Sequence, residues 1–340
     1  MLKLGVVFGG RSSERNISFL SGKTMFEVLD SSGEFGVLPL LLGRDGDMYQ
    51  FSKTCFQKSE LDLDQFLEFI RAQPETKTIS NFQIADLKLD CVVLGLHGEE
   101  GEDGRIQGML DLLRIPYTGS GHTASSLAMD KLLTYFVYSA NGISTPVTTE
   151  YSPKLDAITF AESCKIPFPI FAKPTTGGSS VGTKLLKTKP ELIAFLQAGK
   201  ERTILQEFIK GREFSCGILE KSNGEIVCLP ATEIVSNDEY FDFSNKYSDQ
   251  GAKEITPANV SPEMMNRLQE LALKAHTVLG CRGYSRTDIL WKEDQFYVLE
   301  TNTLPGFTKR SIFPEQAKHL GISILEILKN LVAVGIQNRF

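Results

Sequence analysis

The chain has 340 residues, 41% hydrophobic and 23% charged, an ordinary globular composition with length for two or three small domains, so disorder is excluded as the default. A net charge of −6 gives no electrostatic reason to expect a nucleic acid or an anionic membrane as partner, because a phosphate-tracking surface carries a basic excess. No stretch reaches the ~18 to 20 apolar residues a membrane helix requires.

The start, Met1-Leu2-Lys3-Leu4-Gly5-Val6-Val7-Phe8, runs directly into a strand-like segment with no signal-peptide pattern. A strand over residues 3 to 8 breaks at Gly9-Gly10, and a helix follows over residues 16 to 29, where Ile17, Leu20, Met25 and Leu29 recur at helical spacing. The unit repeats: a strand from Asp90 to Leu96 ends at His97-Gly98, and Ile106, Met109, Leu110 and Leu113 follow at helical spacing. Two such units predict a small parallel α/β domain whose ligands gather beyond the carboxyl ends of its strands.

A turn-rich segment from Ile115 to Gly121 marks the first boundary, and one helix-compatible run covers Ser125 to Ala140. Short strands with hairpin signals come next, at Ile170 to Lys173, Thr183 to Leu186, Thr203 to Leu205, Phe214 to Leu219 and Ile226 to Leu229. This is an α+β pattern. A long helix from about Pro262 to Leu279, two strands and an apolar helix near Ile322 to Val334 complete the chain. The expected division is residues 1–120, 121–207 and 208–340. Six cysteines, Cys55, Cys91, Cys164, Cys216, Cys228 and Cys281, lie far apart with no C-x-x-C pair and are expected to be reduced structural thiols of a cytoplasmic protein.

The two strands before the last helix carry the most specific signal. Ser285 to Trp291 and Gln295 to Asn302 alternate in polarity around the turn Lys292-Glu293-Asp294. Side chains two apart share a face, so Arg286 pairs with Asp288 and Glu300 with Asn302; a turn centred near Asp294 sets Asp288 opposite Glu300 and Arg286 opposite Asn302. Facing carboxylates repel, and oxygen donors from Asp288, Glu300 and Asn302 suit magnesium. Ile289, Trp291, Phe296, Val298 and Leu299 are expected to anchor the hairpin in a core.

Between two strands, Thr175-Thr176-Gly177-Gly178-Ser179-Ser180-Val181-Gly182 can bring backbone N–H groups and hydroxyls to phosphate oxygens, with Lys173 supplying charge. The pattern is neither a Walker loop nor a dinucleotide fingerprint. The segment Thr203 to Phe214 fits a linker between two sheets that sandwich an adenine.

Taken together, these residues resemble the ATP-grasp enzymes, and within them the D-alanine:D-alanine ligase family of peptidoglycan synthesis. The motifs run nearly end to end: Gly9 to Ser18, Leu96-His97-Gly98 with Gly101-Glu102-Asp103-Gly104, Met129-Asp130-Lys131, Lys173-Pro174 with Gly178 to Gly182, Lys246-Tyr247, Arg286-x-Asp288, and Glu300-x-Asn302-x-x-Pro305-Gly306. The resemblance implies an ATP-grasp fold, in which an N-terminal parallel α/β (Rossmann-like) domain precedes two α+β domains sandwiching ATP. It implies ATP and two magnesium ions, with manganese as a possible substitute, D-alanine as substrate and a homodimer.

Residue by residue, it implies that Lys131, Lys173 and Ser180 hold the phosphates, and that Gln206, Glu207, Ile209, Glu213 and Lys246 complete the nucleotide site. Asp288, Glu300 and Asn302 would bind metal. Glu14 would receive the ammonium of the first D-alanine, with His97 near the same subsite, and Ser311 would meet the carboxylate of the second. Arg286 and the Gly306 backbone would stabilise the tetrahedral oxyanion. Ser179 and Tyr247, with Glu14, would tie a mobile loop of about Ser236 to Gln250 over the site. Lys246-Tyr247 favours an amine as second substrate. The other readings are a further ATP-grasp ligase, such as one using D-lactate, and an ATP-binding regulatory protein without turnover.

Two departures stand out. Gln206 replaces the acidic residue usual opposite the adenine amino group, and Asn302-Thr303-Leu304-Pro305-Gly306-Phe307 carries Leu304 and Phe307 where Ser and Met are common.

Overall fold

The computed structural model describes residues 1–58, 62–178, 182–235, 253–308 and 310–337, which fold around three β-sheets. The first sheet begins with β1 (Leu2–Gly9), whose Leu4, Val6, Val7 and Phe8 are all fully buried. Such a continuous apolar run belongs to a strand covered on both faces. Helix α1 (Arg15–Ser31) returns the chain to β2 (Phe35–Leu42), which pairs parallel with β1. Gly22 of α1 lies against the Phe8 ring so closely that any β-carbon would overlap it, which brings the helix down onto the strand.

Next come β3 (Met48–Gln50), α2 (Leu63–Arg71), β4 (Lys77–Ile79), β5 (Cys91–Leu94) and α3 (Arg105–Leu112). The sheet order is β4-β3-β2-β1-β5, with β5 parallel to β1 and the short β3 and β4 antiparallel at the edge. The two predicted βα units are present as expected; the antiparallel edge is additional.

The predicted single helix over Ser125 to Ala140 is two helices, α4 (His122–Met129) and α5 (Lys131–Ala140). Asp130 breaks the run: it is extended, and its carboxylate accepts the N–H groups of Leu132 and Leu133, both at 3.0 Å. An Asp that can cap competes with continuing the helix, and here it makes Lys131 the first residue of α5.

The second sheet comprises β6 (Thr148–Tyr151), β7 (Ile170–Pro174), β8 (Lys184–Leu186) and β9 (Thr203–Glu207), in the order β6-β9-β7-β8. Helices α6 (Ala157–Ser163) and α7 (Lys189–Ala198) cover one face, packing Ala161, Leu192 and Leu196 against Ile170, Ala172 and Leu205. Alternation then puts Lys173, Phe171, Gln206, Ile204, Thr148 and Glu150 on the opposite face.

The third sheet is built of β10 (Arg212–Glu220), β11 (Ile226–Cys228), β12 (Thr232–Val235) and β13 (Lys253–Ile255), then β14 (Tyr284–Lys292) and β15 (Gln295–Asn302) after helix α8 (Pro262–Val278). Phe214, Cys216, Ile218, Ile289 and Val298 form a core with Leu268, Ala272 and Ala275 of α8. Helices α9 (Ile312–His319), which the sequence reading lacked, and α10 (Ile324–Gln337) close the chain. Phe313 of α9 and Ile327, Leu328 and Leu331 of α10 share one core with β1 and β5. Among the described residues no single helix is long and apolar enough to cross a membrane; α9 and α10 meet that test only as a pair, bent by 104°. The six cysteines form no disulfide, and burial pushes the Cys91 thiol up to about 12.

Candidate active site

At the end of the last hairpin away from its turn, the register is the one the sequence implied: Asp288 pairs with Glu300, Thr287 with Thr301 and Arg286 with Asn302. It shifts between Asp288 and Ile289, because Ile289 pairs with Val298 and Leu299 is left over as a bulge. Leu299 therefore cannot serve as a core anchor in step with Val298, as its sequence placement had it. Beneath the hairpin the Tyr138 hydroxyl meets Thr301 Oγ1 at 2.6 Å, and Thr301 meets Thr287 at 2.8 Å. These hydroxyls tie the back of the hairpin to α5.

On the front, Ser215 Oγ donates to Asp288 Oδ1 at 2.5 Å. Arg286 reaches both Asp288 oxygens at 3.3 Å, and Asn302 Nδ2 approaches Oδ2 at 3.4 Å. Among the described residues the facing carboxylates are thus partly offset by the Arg286 guanidinium, with oxygen donors and an amide beside them. That donor chemistry fits a hard divalent cation. Gln316 of α9 donates to the Ser215 carbonyl at 2.7 Å, so the Asp288 support is itself braced from the neighbouring helix.

The hairpin faces a cavity of about 770 Å³ that Glu14, His97, Lys131, Glu213, Arg286, Asp288, Glu300, Asn302, Gly306 and Ser311 all line. Glu14 is the residue preceding α1, at the carboxyl end of β1. Its carboxylate lies so near Gly178 that a β-carbon there would stand 2.5 Å from Oε2, and one on Gly98 would stand 2.7 Å away. A side chain at either position would displace the Glu14 carboxylate from where it now lies. Lys131 Nζ donates to the Gly177 carbonyl at 2.6 Å, and its backbone N–H to Thr175 at 2.9 Å, so the glycine-rich loop is held from α5 as well.

His97 is buried and uses both ring nitrogens within the protein. Nδ1 meets the Leu304 carbonyl at 3.0 Å, which can only accept, so Nδ1 carries the proton. Nε2 then accepts from Ser21 Oγ at 2.8 Å, and Ser21 in turn accepts from the Phe307 N–H at 3.1 Å. Burial lowers the His97 pKa to about 4, so the ring is neutral. The other histidines are local: His276 meets Ser285, His122 meets Asp111, and His319 meets the Glu315 carbonyl.

Lys173 is buried on the face of the second sheet opposite α6 and α7, with Gln206 on the same face two residues from Ile204. Glu207 ends β9 and donates its N–H to Val147 at 2.9 Å, while Ile209 follows, buried. None of these four residues is among those that line the cavity. Ser311 Oγ accepts the Thr308 N–H at 3.0 Å and shapes the turn after Gly306. Ser179, Ser180, Lys246 and Tyr247, and the loop expected over Ser236 to Gln250, lie outside the described residues.

Two residues to which the sequence reading gave no role also line the cavity. Glu102 accepts from the Gly98 N–H at 2.7 Å and the Leu304 N–H at 3.2 Å, bridging two site loops. Burial, and then the charge of Glu14, push its pKa up. It stood inside the Gly101-Glu102-Asp103-Gly104 motif, which was the only available signal. Glu254 lies on β13, paired with Ile234, and is exposed to the cavity; desolvation by the atoms crowded around it, opposed by Arg286 and reinforced by Asp288, raises its pKa. Nothing in the local sequence marked it.

The departures in the 302–307 segment are explained by packing. Leu304 and Phe307 are fully buried in the core, Phe307 meeting Tyr284 edge-on at 6.1 Å, and backbone groups of both residues also hold the segment.

Comparison with known proteins agrees along the whole chain. Residues 3–120 match the family model described as D-ala D-ala ligase N-terminus, and residues 145–333 the one described as D-ala D-ala ligase C-terminus. The chain is 42% identical to the D-alanine--D-alanine ligase of Leptospira interrogans serovar Lai, covering 99% of each chain. It is similar to the solved D-alanine-D-alanine ligase of Coxiella burnetii, with TM-score 0.83 and 26% identity over 99% of this chain and 94% of that one. A Bacillus anthracis D-alanine--D-alanine ligase complexed with ATP matches with TM-score 0.76 and 27% identity over 100% and 99% of the two chains.

Proposed function

The chain belongs to the D-alanine:D-alanine ligase family, and on that premise we propose how its own residues join two D-alanines using ATP. It is an ATP-dependent ligase of ATP-grasp fold whose product, D-alanyl-D-alanine, supplies peptidoglycan synthesis. One observation carries the residue assignment: Arg286, Asp288, Glu300 and Asn302 share a strand-pair face that opens on the same cavity as Glu14, Lys131 and Gly306.

A carboxylate is a poor electrophile. A carboxylate oxygen of the first D-alanine attacks the γ-phosphorus and ADP leaves, giving an acyl phosphate; the amine of the second D-alanine, having lost a proton, then attacks the carbonyl carbon, and phosphate departs with that oxygen. Glu14, at the cavity wall, holds the ammonium of the first D-alanine, and neutral His97 fixes the Leu304 to Phe307 turn beside it. Lys131 and Lys173 neutralise phosphate charge, and Ser180 with the neighbouring backbone covers it. Gln206, Glu207, Ile209 and Glu213 border the base and ribose, with Lys246 contributing from the segment beyond β12. Magnesium, or manganese in its place, would be held by Asp288, Glu300 and Asn302 and would neutralise charge on the transferred phosphoryl. Arg286 and the Gly306 N–H receive the oxyanion of the tetrahedral intermediate, where prepositioned donors lower the barrier most. Ser311 meets the second carboxylate. Ser179 and Tyr247 complete closure with Glu14, because an acyl phosphate must be kept from water.

Residues 1–120, 121–207 and 208–340 are proposed as the three units around this cavity. Six unpaired thiols support a cytoplasmic setting; a homodimer rests on family resemblance alone. Purified protein given ATP, magnesium and D-alanine is expected to form dipeptide and phosphate in equal amounts. Phosphate release indifferent to D-alanine would contradict the assignment.

A further inference from the structure

The nucleotide side of the site contains a hydrogen-bond chain whose polarity is fixed by chemistry. Thr148 Oγ1 lies 2.8 Å from the Pro146 carbonyl, and Gln206 Nε2 lies 2.8 Å from Thr148 Oγ1. A carbonyl oxygen only accepts, so the Thr148 hydrogen goes to Pro146. The hydroxyl then offers a lone pair to Gln206, and only the amide NH₂ can fill that contact. Were the amide reversed, two acceptors would face each other in a buried place, Gln206 being 5% exposed.

Gln206 Oε1 is thereby turned away from Thr148. Among the described residues nothing donates to it. It sits on the face shared with Lys173 and Phe171, opposite the face covered by α6 and α7. An amide, unlike a carboxylate, could present either a donor or an acceptor here, so something must decide which.

We infer that Thr148 is a positioning residue that locks the Gln206 amide with its carbonyl oxygen toward the nucleotide base, so that the pair selects a 6-amino purine over a 6-oxo purine. This rests on the ligase reading, in which the second sheet borders the base. Adenine offers an exocyclic N–H to Oε1. Hypoxanthine offers an oxygen, and two acceptors would meet. With the Thr148 hydroxyl gone, the amide can rotate and donate Nε2 to that oxygen, and discrimination fades.

The test compares kcat/KM for ATP and ITP, which differ at the 6-position and the adjoining N1 proton, with dipeptide as the product measured. Wild type is expected to prefer ATP by about tenfold or more, since a misaligned buried acceptor is costly. Thr148→Val is expected to bring the two nucleotides within about threefold, mainly through KM for the nucleotide, while Thr148→Ser keeps the preference. In a Gln206→Glu background, where no donor exists to rotate inward, Thr148→Val is expected to leave the ratio unchanged. Should Thr148→Val not fold, Thr148→Ala, which adds no bulk, serves in its place. Equal use of ATP and ITP by the wild type, or an unchanged ratio in the folded Thr148 variant, would overturn the inference while leaving the ligase intact. No dipeptide with ATP would instead bring down the ligase assignment, and this inference with it.

Discussion

Arg286→Ala is expected to lower turnover by about a hundred- to a thousandfold while leaving the affinity for ATP within about threefold. The guanidinium lies across from Asn302 and reaches Asp288 at 3.3 Å from two nitrogens, distances too long for strong bonds, so it is held near the carboxylate without being used up by it. Charge that develops on the carbonyl oxygen during attack by the amine therefore finds donors already in place. Arg286→Lys keeps the charge but not the planar fork, and recovers only part of the rate. Single-turnover dipeptide formation and nucleotide titration separate the two effects. Equal loss of ATP binding and of rate would remove Arg286 from the chemistry and make it a general electrostatic support.

Asp288→Asn is expected to cut turnover by about a thousandfold and to weaken Mn²⁺ binding in the presence of ATP by at least about tenfold. The substitution is nearly isosteric, and its amide oxygen still accepts from Ser215, which donates to Asp288 at 2.5 Å. The fold is expected to survive with a lowered melting temperature, because the new amide NH₂ faces the Arg286 and Asn302 donors that approach Asp288 Oδ2 at 3.3 and 3.4 Å. Relief of the Asp288 and Glu300 repulsion acts against that lowering. Electron paramagnetic titration of Mn²⁺ reads the metal directly. Undiminished Mn²⁺ binding in a folded Asp288→Asn protein would exclude this face as the metal site.

The pairing of Asp288 with Glu300 was legible although the turn was not: Lys292 pairs with Gln295, so the turn is only Glu293-Asp294, and the bulged Leu299 shifts the register by the one residue that brings the two carboxylates opposite each other. The bulge at Leu299 was not legible: alternation breaks there by a single residue, which a pattern of five apolar positions absorbs without trace. The Ser125 to Ala140 run was periodic enough to pass for one helix, and only the capping geometry of Asp130 shows why it is two. Strands β6, β12 and β13, of four, four and three residues, each open on two or more polar residues, so no apolar run marks them as it marks the equally short β5 and β11. Their absence from the sequence reading also hid Thr148 and Glu254, whose positions follow from strand pairing rather than from local pattern. Glu102 escaped for another reason: its carboxylate bonds Leu304, 202 residues further along the chain, a distance only the tertiary fold can close. Conversely, Leu304 and Phe307 stood out in sequence yet prove to be core residues, their side chains fully buried while their backbone N–H groups bond Glu102 and Ser21.

All of this depends on the carboxyl group of the first D-alanine being phosphorylated in the cavity that the Arg286, Asp288, Glu300 and Asn302 face lines. D-alanine labelled with ¹⁸O in both carboxylate oxygens reports that step directly. The expected result is one labelled oxygen in each phosphate released, because the oxygen that attacks phosphorus leaves with it when the amine displaces phosphate. Unlabelled phosphate accompanying dipeptide formation would mean that the carboxylate never bonded to phosphorus, and would contradict the account at its foundation.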